Sequence, residues 1–257
     1  MDEALALRKL LCNREVALGI IASIPSVAAV QALASVPFDW LMIDTEHAPI
    51  DSTSMHRMIA ATAGTPCLQI VRIPVGRSHL VKHALDAGAA GIVFPMINDS
   101  EQARSAIAGT HYPPRGQRGW GPFHAPARWG LTPADYLREA DDRLTRIVLI
   151  EHPDALNNLD EILTVDGIDI ALLAPNDLSL NMGFPGQPDH PEVLAAIAGA
   201  ERKILESTCA LGGVASSATA AREKIARGYR VLVLGYDAGL LVGSARDLLS
   251  DCRSGLV

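Results

Sequence analysis

An α/β fold closed into one (β/α)8 barrel of the TIM type is what this chain predicts, on three observations. Eight short apolar runs alternate with helical patterns along 257 residues, a length close to that of one such barrel. The runs are continuous rather than alternating, as parallel strands covered on both faces are. Three of them end abruptly in acids, and in this architecture catalytic groups collect at the C-terminal ends of the strands. A doubly wound open sheet fits less well, because eight units at this length match the barrel.

Ala17–Ser23 is the first apolar run, followed by a helix from about Pro25 to Ala34. Trp40–Ile43 is the second strand, with a helix near Ser52–Ala63. Cys67–Ile73 is the third, with a helix near Ser78–Asp86, and Gly91–Met96 the fourth, with Asp99–Ala108 after it. Arg146–Ile150 and Pro153–Leu163 form the fifth pair, and Ile170–Leu173 and Pro191–Glu206 the sixth. Leu211–Ala215 with Ala218–Ala226, and Val231–Leu234 with Ala238–Leu249, complete the eight. Residues 1–257 therefore read as a single barrel domain. Two segments interrupt the rhythm, His111–Pro133 and Asp177–His190, both rich in Gly and Pro. Long structured loops in a compact domain cover a site or form an interface.

Hydrophobic residues make up 49% of the chain, enough for a large core. Twenty-two basic against 29 acidic residues give a formal charge of −7, with no basic patch. That argues against a nucleic-acid partner, since phosphate binding needs clustered Lys and Arg. Cys12, Cys67, Cys209 and Cys252 show neither CxxC nor metal-ligand spacing and read as reduced thiols. No apolar run reaches the ~18 residues of a membrane helix. Met1-Asp2-Glu3 lacks the basic start of a signal peptide. The expected compartment is the cytoplasm.

The second strand closes as Trp40-Leu41-Met42-Ile43-Asp44-Thr45-Glu46-His47, the fifth as Val148-Leu149-Ile150-Glu151-His152, and the sixth as Leu173-Ala174-Pro175-Asn176-Asp177. A lone buried charge is too costly to be structural filler, so these acids must face water, a metal or a substrate. Glu151 and Asp177 are the best metal pair: two carboxylates plus waters suit a hard divalent cation such as Mg²⁺ or Mn²⁺. A closed zinc site lacks its His/Cys cluster. His47, beside two acids at a strand end, suits general acid/base work. Arg72, closing Gln69-Ile70-Val71, suits a substrate carboxylate or a developing enolate, and equally a salt bridge to a neighbouring strand-end acid. Glu46 belongs either to the surroundings of the metal or only to a hydrogen-bonded turn. His79 and His83 share one helix face without an HExxH motif, and no GxGxxG, Walker or GxSxG pattern is present.

Several stretches in order, FDWLMIDTEHAPID, LVKHALDAGAAGIVFPMI, YPPRGQRGWG, IEHPDALNNLDEIL, APNDLSLNMG and HPEV, resemble the HpcH/HpaI aldolases, the metal-dependent pyruvate aldolases, over nearly the whole chain. The resemblance implies a (β/α)8 barrel, a homo-oligomer, usually a hexamer, and a bound divalent metal (Mg²⁺, Mn²⁺ or Co²⁺) with no organic cofactor. Carried over position by position, it implies Glu151 and Asp177 as metal ligands and His47 as general base. Arg72 would stabilise the enolate, and Asp86 would tune the base. Ala174, Asn176 and Asp177, with Arg72, would contact substrate, and Asp44 and Glu46 would stand behind these groups. The chain departs from the pattern at Leu149, often Gln, at Ala174, often Gly, at Asn176, often Ala, and at Ile21, where some members carry Trp. Asp86 ends the third helix, on the barrel face opposite His47, so a dyad between them requires a neighbouring subunit.

The implied reaction is reversible aldol cleavage of a 4-hydroxy-2-oxo acid to an aldehyde and pyruvate, through an enolate, with a pyruvate- or hydroxypyruvate-like donor. No Schiff-base lysine stands at the fifth or sixth strand end. The alternatives are an acyl-CoA lyase of the citrate-lyase β or malyl-CoA type, and a non-catalytic oxo-acid-binding barrel.

Overall fold

A computed structural model describes residues 15–75 and 79–254. Cys12, the Met1-Asp2-Glu3 start and Ser78, the expected first residue of the third helix, lie outside the described residues. Eight parallel strands close in chain order: β1 Ala17–Ala22, β2 Trp40–Asp44, β3 Leu68–Arg72, β4 Gly91–Phe94, β5 Thr145–Ile150, β6 Ile170–Leu173, β7 Ala210–Val214 and β8 Val231–Tyr236, with β8 pairing back onto β1. All eight expected strands are present, displaced by at most two residues at either end.

The helices are α1 Val27–Ala34, α2 Ser52–Ala61, α3 His79–Asp86, α4 Ser100–Ala108, α5 Ala125–Arg128, α6 Pro133–Arg143, α7 Pro153–Asn157, α8 Leu159–Leu163, α9 Pro175–Asn181, α10 Pro191–Glu206, α11 Ala218–Ala226 and α12 Asp237–Ser254. Side-chain caps set many of the starts. Ser26 accepts from Ala29 N, Asp51 from Ser54 N, Asp99 from Gln102 N and Ser217 from Ala220 N. Three helices go beyond the sequence reading. α5 lies inside the His111–Pro133 segment, α6 follows it, and α9 occupies the start of the sixth loop. In α6, Thr132 caps Asp135 N and Pro133 sits in the first turn, so the helix fills what looked like a gap before β5. The single helix expected over Pro153–Leu163 is two short ones that meet at Asn158.

Strand alternation sorts the core into two layers. Trp40, Met42, Leu68, Ile70, Val93, Ile147, Leu149, Ile170, Leu172, Val231 and Val233 fill the barrel interior. Leu41, Ile43, Val71, Ile92, Val148, Ile150, Ala171, Leu173 and Leu232 face the helices. The inward parity continues past the packed layers. It runs from Trp40 and Met42 to Asp44, from Leu68 and Ile70 to Arg72, and from Ile147 and Leu149 to Glu151. One rule thus makes the interior apolar and sets charges at its C-terminal mouth. The closure is tied at that end by Asp237, at the head of α12. Its Oδ1 accepts from Ser23 N at 2.9 Å and Ser23 Oγ at 2.6 Å, and its Oδ2 accepts from Ile24 N at 3.0 Å.

Elsewhere α12 packs little. Leu240, Leu241, Val242, Leu248 and Leu249 are exposed. No described helix is long and apolar enough to cross a membrane.

Gly19 makes room for the largest side chain of the interior. A Cβ on Gly19 would lie 2.3 Å from the ring of Trp40, which is wholly buried. Gly19→Ala must push that ring off its position, and overpacking of this kind costs about 1–3 kcal/mol. Urea denaturation should show the midpoint falling with an unchanged slope; a midpoint equal to the parent's would mean the Trp40 ring is not held as described.

Candidate active site

β2 and β3 pair with Asp44 opposite Arg72. The two side chains meet in a bidentate ion pair, Arg72 Nε to Asp44 Oδ1 at 2.9 Å and Nη2 to Oδ2 at 2.6 Å. Asp44 is buried, and its Oδ1 also accepts from the amides of Glu46 at 3.0 Å and His47 at 3.3 Å. Burial alone would raise its pKa. The guanidinium and the two amides outweigh it and hold the carboxyl below the usual range. Asp44 is thus the hinge of the strand end: it clamps Arg72 and shapes the turn that carries Glu46 and His47.

Sequence left Arg72 between a salt bridge and a substrate contact, and the geometry contains the first and permits the second. Nε and Nη2 are occupied by Asp44, and Nε lies 3.6 Å from Glu46 Oε2. Among the described residues Nη1 has no hydrogen-bond partner. The guanidinium remains charged, since the acids around it, including Glu151, outweigh its burial. His47 is open to solvent, with 68% of its side chain exposed, and its Nε2 sits 3.6 Å from Glu46 Oε2.

Glu151 continues the inward face of β5 and is 5% exposed. Its Oε1 accepts from Met96 N at 2.6 Å, and among the described residues Oε2 has no hydrogen-bond partner. Its pKa is pushed up to about 7. Burial is the main cause, the negative charges of Asp177 and Glu46 add to it, and the Met96 amide and Arg72 oppose it. Glu46 is raised in the same direction by burial, against the pull of Arg72 and His47. Asp177 stands in the first turn of α9, close enough for its charge to act on Glu151. α9 is anchored to the same place, because Asn181 Nδ2 donates to the Glu151 carbonyl at 2.8 Å.

The mouth therefore gathers Asp44, Glu46, His47, Arg72, Glu151 and Asp177. Ala174 is buried beside them, but its N–H is committed to Ile150 O at 3.3 Å. Pro175 has no N–H. The amides free to meet a ligand at this corner are those of Asn176 and Asp177, which have no intrahelical acceptor in the first turn. Of the residues expected to contact substrate here, Asn176 and Asp177 therefore have free amides and Ala174 does not. Leu149, where a polar contact was in question, is buried in the interior layer, and Ile21 packs against the same layer.

Asp86 is not at this mouth. It ends α3, where Arg118 Nη2 donates to its Oδ1 at 2.8 Å, and it shares no contact with His47 within the chain. Two contributors were not foreseen from sequence. Met96 holds a left-handed backbone, φ 52°, that turns its amide onto Glu151, and no composition signal marks it. Asn181 lies within a quoted motif but carries no signature of its own.

The charges fit a cation. Among the described residues three carboxylates, Glu46, Glu151 and Asp177, lean on one another beside the Arg72 guanidinium, and Glu151, the most buried of the three, keeps an oxygen without a partner. Hard oxygen donors of this kind suit a divalent ion with waters completing its shell. Among the described residues no group of three or more His, Cys, Asp or Glu is placed to hold a metal ion, so the protein donors at this mouth would be the pair Glu151 and Asp177. Cys67 and Cys209 are buried, and burial pushes their thiols up to about 12 and about 11, so neither is a thiolate at neutral pH.

A family model described as HpcH/HpaI aldolase/citrate lyase matches residues 22–244. A hydroxypyruvate/pyruvate aldolase of Cupriavidus necator is 39% identical over 243 residues, 95% of this chain and 90% of the relative. A 4-hydroxy-2-oxo-heptane-1,7-dioate aldolase of Salmonella dublin is 40% identical over 219 residues, 85% of this chain and 83% of the relative. The crystal structure of an HpcH/HpaI aldolase/citrate lyase family protein from Burkholderia cenocepacia J2315 superposes with a TM-score of 0.91 at 32% identity, covering 96% of this chain and 99% of that one.

The raised Glu151 has a measurable consequence in protein stripped of divalent ions. A carboxyl whose folded pKa lies above its unfolded value contributes stability that is complete below about 4.5 and lost as the pH rises through about 7. The loss from Glu151 is of order 3 kcal/mol at most, with Glu46 acting in the same sense. In EDTA, the parent's melting temperature should fall between pH 5 and pH 8. Glu151→Gln should flatten that slope and melt above the parent at pH 8. Parallel slopes for the two proteins would show that Glu151 carries no such burden.

Proposed function

The chain belongs to the HpcH/HpaI aldolase/citrate lyase family, and on that premise we propose that it is a divalent-metal-dependent carbon–carbon lyase that cleaves 4-hydroxy-2-oxo acids reversibly to pyruvate and an aldehyde. The observation that carries this reading is the facing of Glu151 and Asp177 with Arg72 across one barrel mouth. An anion-poised arginine and a carboxylate pair are what a 2-oxo acid and a cation together require. The name hydroxypyruvate/pyruvate aldolase, carried by the Cupriavidus necator relative, supports a pyruvate- or hydroxypyruvate-like donor.

Glu151 and Asp177 would hold Mg²⁺, Mn²⁺ or Co²⁺, which when bound supplies Lewis acidity toward the oxo-acid oxygens. The free amides of Asn176 and Asp177, at the head of α9, orient the substrate carboxylate. His47 takes the proton of the 4-hydroxyl. The C3–C4 bond then breaks, its electrons pass to C3 and the 2-oxo oxygen, and the aldehyde leaves. Arg72, with Nε and Nη2 fixed by Asp44, offers Nη1 to the enolate oxygen in a direction already set before substrate arrives. Protonation at C3 completes pyruvate. Asp44 acts through Arg72 and the 44–47 turn rather than on substrate.

Among the described residues Glu46 is the acid paired with His47, and Asp86 lies at the opposite end of its barrel. In this reading Asp86 of a neighbouring subunit orients His47, which makes the site a property of a homo-oligomer, expected as a hexamer. The exposed apolar side chains of α12 support an oligomer, since a monomer gains nothing from leaving them wet.

Two measurements test these points. In D₂O the pyruvate methyl signal in ¹H NMR should decay only when Mg²⁺ or Mn²⁺ is returned to chelated protein, and Glu151→Ala should lose that exchange by about 10²-fold or more. Metal-independent exchange would sink the cation reading. Separately, His47→Ala and Asp86→Ala proteins, each inactive alone, should recover part of the parent's cleavage rate when dissociated and reassembled together. No recovery at any mixing ratio would place the two residues outside a shared site.

A further inference from the structure

We propose that Arg118 is the positioning residue for Asp86, holding one carboxylate oxygen from inside the protein so that the other faces outward toward the histidine it serves. This rests on the reading that Asp86 orients His47 of a neighbouring subunit.

Arg118 is fully buried at its side chain. Its Nη2 donates to Asp86 Oδ1 at 2.8 Å and to Tyr136 Oη at 3.1 Å. Nε and Nη1 are buried without any partner. The guanidinium lies 4.6 Å from the ring centre of Tyr112 and 5.6 Å from that of Tyr136. Among the described residues Asp86 is its only carboxylate partner.

A purely structural arginine in this chain looks different. Arg146, equally buried, is satisfied on every side by Thr110 Oγ1 at 2.7 Å, Leu144 O at 3.2 Å and Asp141 O at 2.6 Å, with Asp169 at 4.0 Å. Arg72 takes both oxygens of Asp44. Arg118 instead grips one carboxylate oxygen and one phenol oxygen through the same nitrogen and leaves Nε and Nη1 unmet, an arrangement an apolar side chain would improve on if stability were its only purpose.

The geometry around the pair shows what this arrangement gains. Arg118 is pinned by its own amide to His111 O at 2.8 Å, and the flanking turn by Gln117 N to Ala108 O at 2.9 Å and Gly116 N to Tyr112 O at 3.0 Å. Tyr136 Oη is tied in turn to Leu85 O at 3.3 Å, next to Asp86 itself. A bonded circuit thus fixes the base of the carboxylate. Above its other oxygen lies Gly121, whose missing Cβ would come 3.4 Å from Asp86 Oδ2. With hydrogen there, Oδ2 is open, and Asp86 keeps 19% of its side chain exposed. A carboxylate with one oxygen anchored and one presented is what an imidazole N–H of another chain requires for a fixed tautomer.

The test uses the assembled protein and cleavage of 4-hydroxy-2-oxopentanoate to pyruvate and acetaldehyde. Arg118→Met should lower kcat by about 10–100-fold, while KM moves less than threefold, because substrate binding does not involve the pair. Arg118→Lys, which can still reach Oδ1, should recover most of the loss. In the background of Asp86→Asn, adding Arg118→Met should cost nothing further, since a residue that works only through Asp86 has nothing left to position. Gly121→Val, which covers Oδ2 without touching Arg118, should reproduce the fall in kcat.

An Arg118→Met protein of parental kcat, or a double variant that loses the product of the two single effects, would overturn the proposal. If Asp86→Asn itself keeps parental kcat, the reading of Asp86 fails first, and that result is separate from any obtained with Arg118.

Discussion

The ion pair between Asp44 and Arg72 is the contact around which the rest of the mouth is arranged. Adjacent parallel strands bring the two residues opposite one another, and two short hydrogen bonds lock the fork. Three consequences follow. Arg72 is stiffened and its remaining nitrogen takes a fixed direction. Asp44 becomes an acceptor strong enough to fold the following turn onto itself through the amides of Glu46 and His47. The positive charge is brought within reach of Glu46 and Glu151, where it offsets the like charges these acids and Asp177 exert on one another. Removing either partner would leave a buried charge alone, which costs far more than the pair contributes.

The same mouth is electrostatically overloaded with acid, and this is the sign of a place built for something the chain does not itself contain. Glu151 sits at the end of an apolar strand, dry on most sides and faced by like charges, held only by the amide of Met96 and the distant field of Arg72. A fold optimised for stability alone would place glutamine or leucine there. Met96 adds backbone strain of its own, since a left-handed conformation is rare for a side chain of that size. Local cost concentrated at a ligand site and offset by a large core is the general pattern of functional surfaces, and here the core that offsets it is the two-layer packing set by strand alternation.

At the far end of the barrel the balance runs differently. Arg146 is buried and saturated, while Arg118 is buried and deliberately incomplete. The contrast separates arginine used to hold a fold from arginine used to present a carboxylate, with the two types of site fewer than thirty residues apart in one chain.

Much of this was legible in the amino-acid order. The eight strands, their sequence and most helix positions follow from apolar runs and their interruptions. Asp44, Glu46, His47, Glu151 and Asp177 stand out because acids that close apolar strands cannot be packing. The helices α5, α6 and α9 were missed because Gly and Pro were read as loop signals, although Pro133 and Pro175 sit in first turns, where proline starts helices. What the sequence by itself determined is the inward parity that sends these side chains to one rim, since a two-residue period needs no knowledge of neighbours. Only the tertiary structure decided which acid claims Arg72, which amide is left free at the head of α9, why Glu151 resists ionisation and what holds Asp86. Each of these depends on strand register, burial or the approach of residues distant in sequence, and such through-space quantities have no imprint in local spacing.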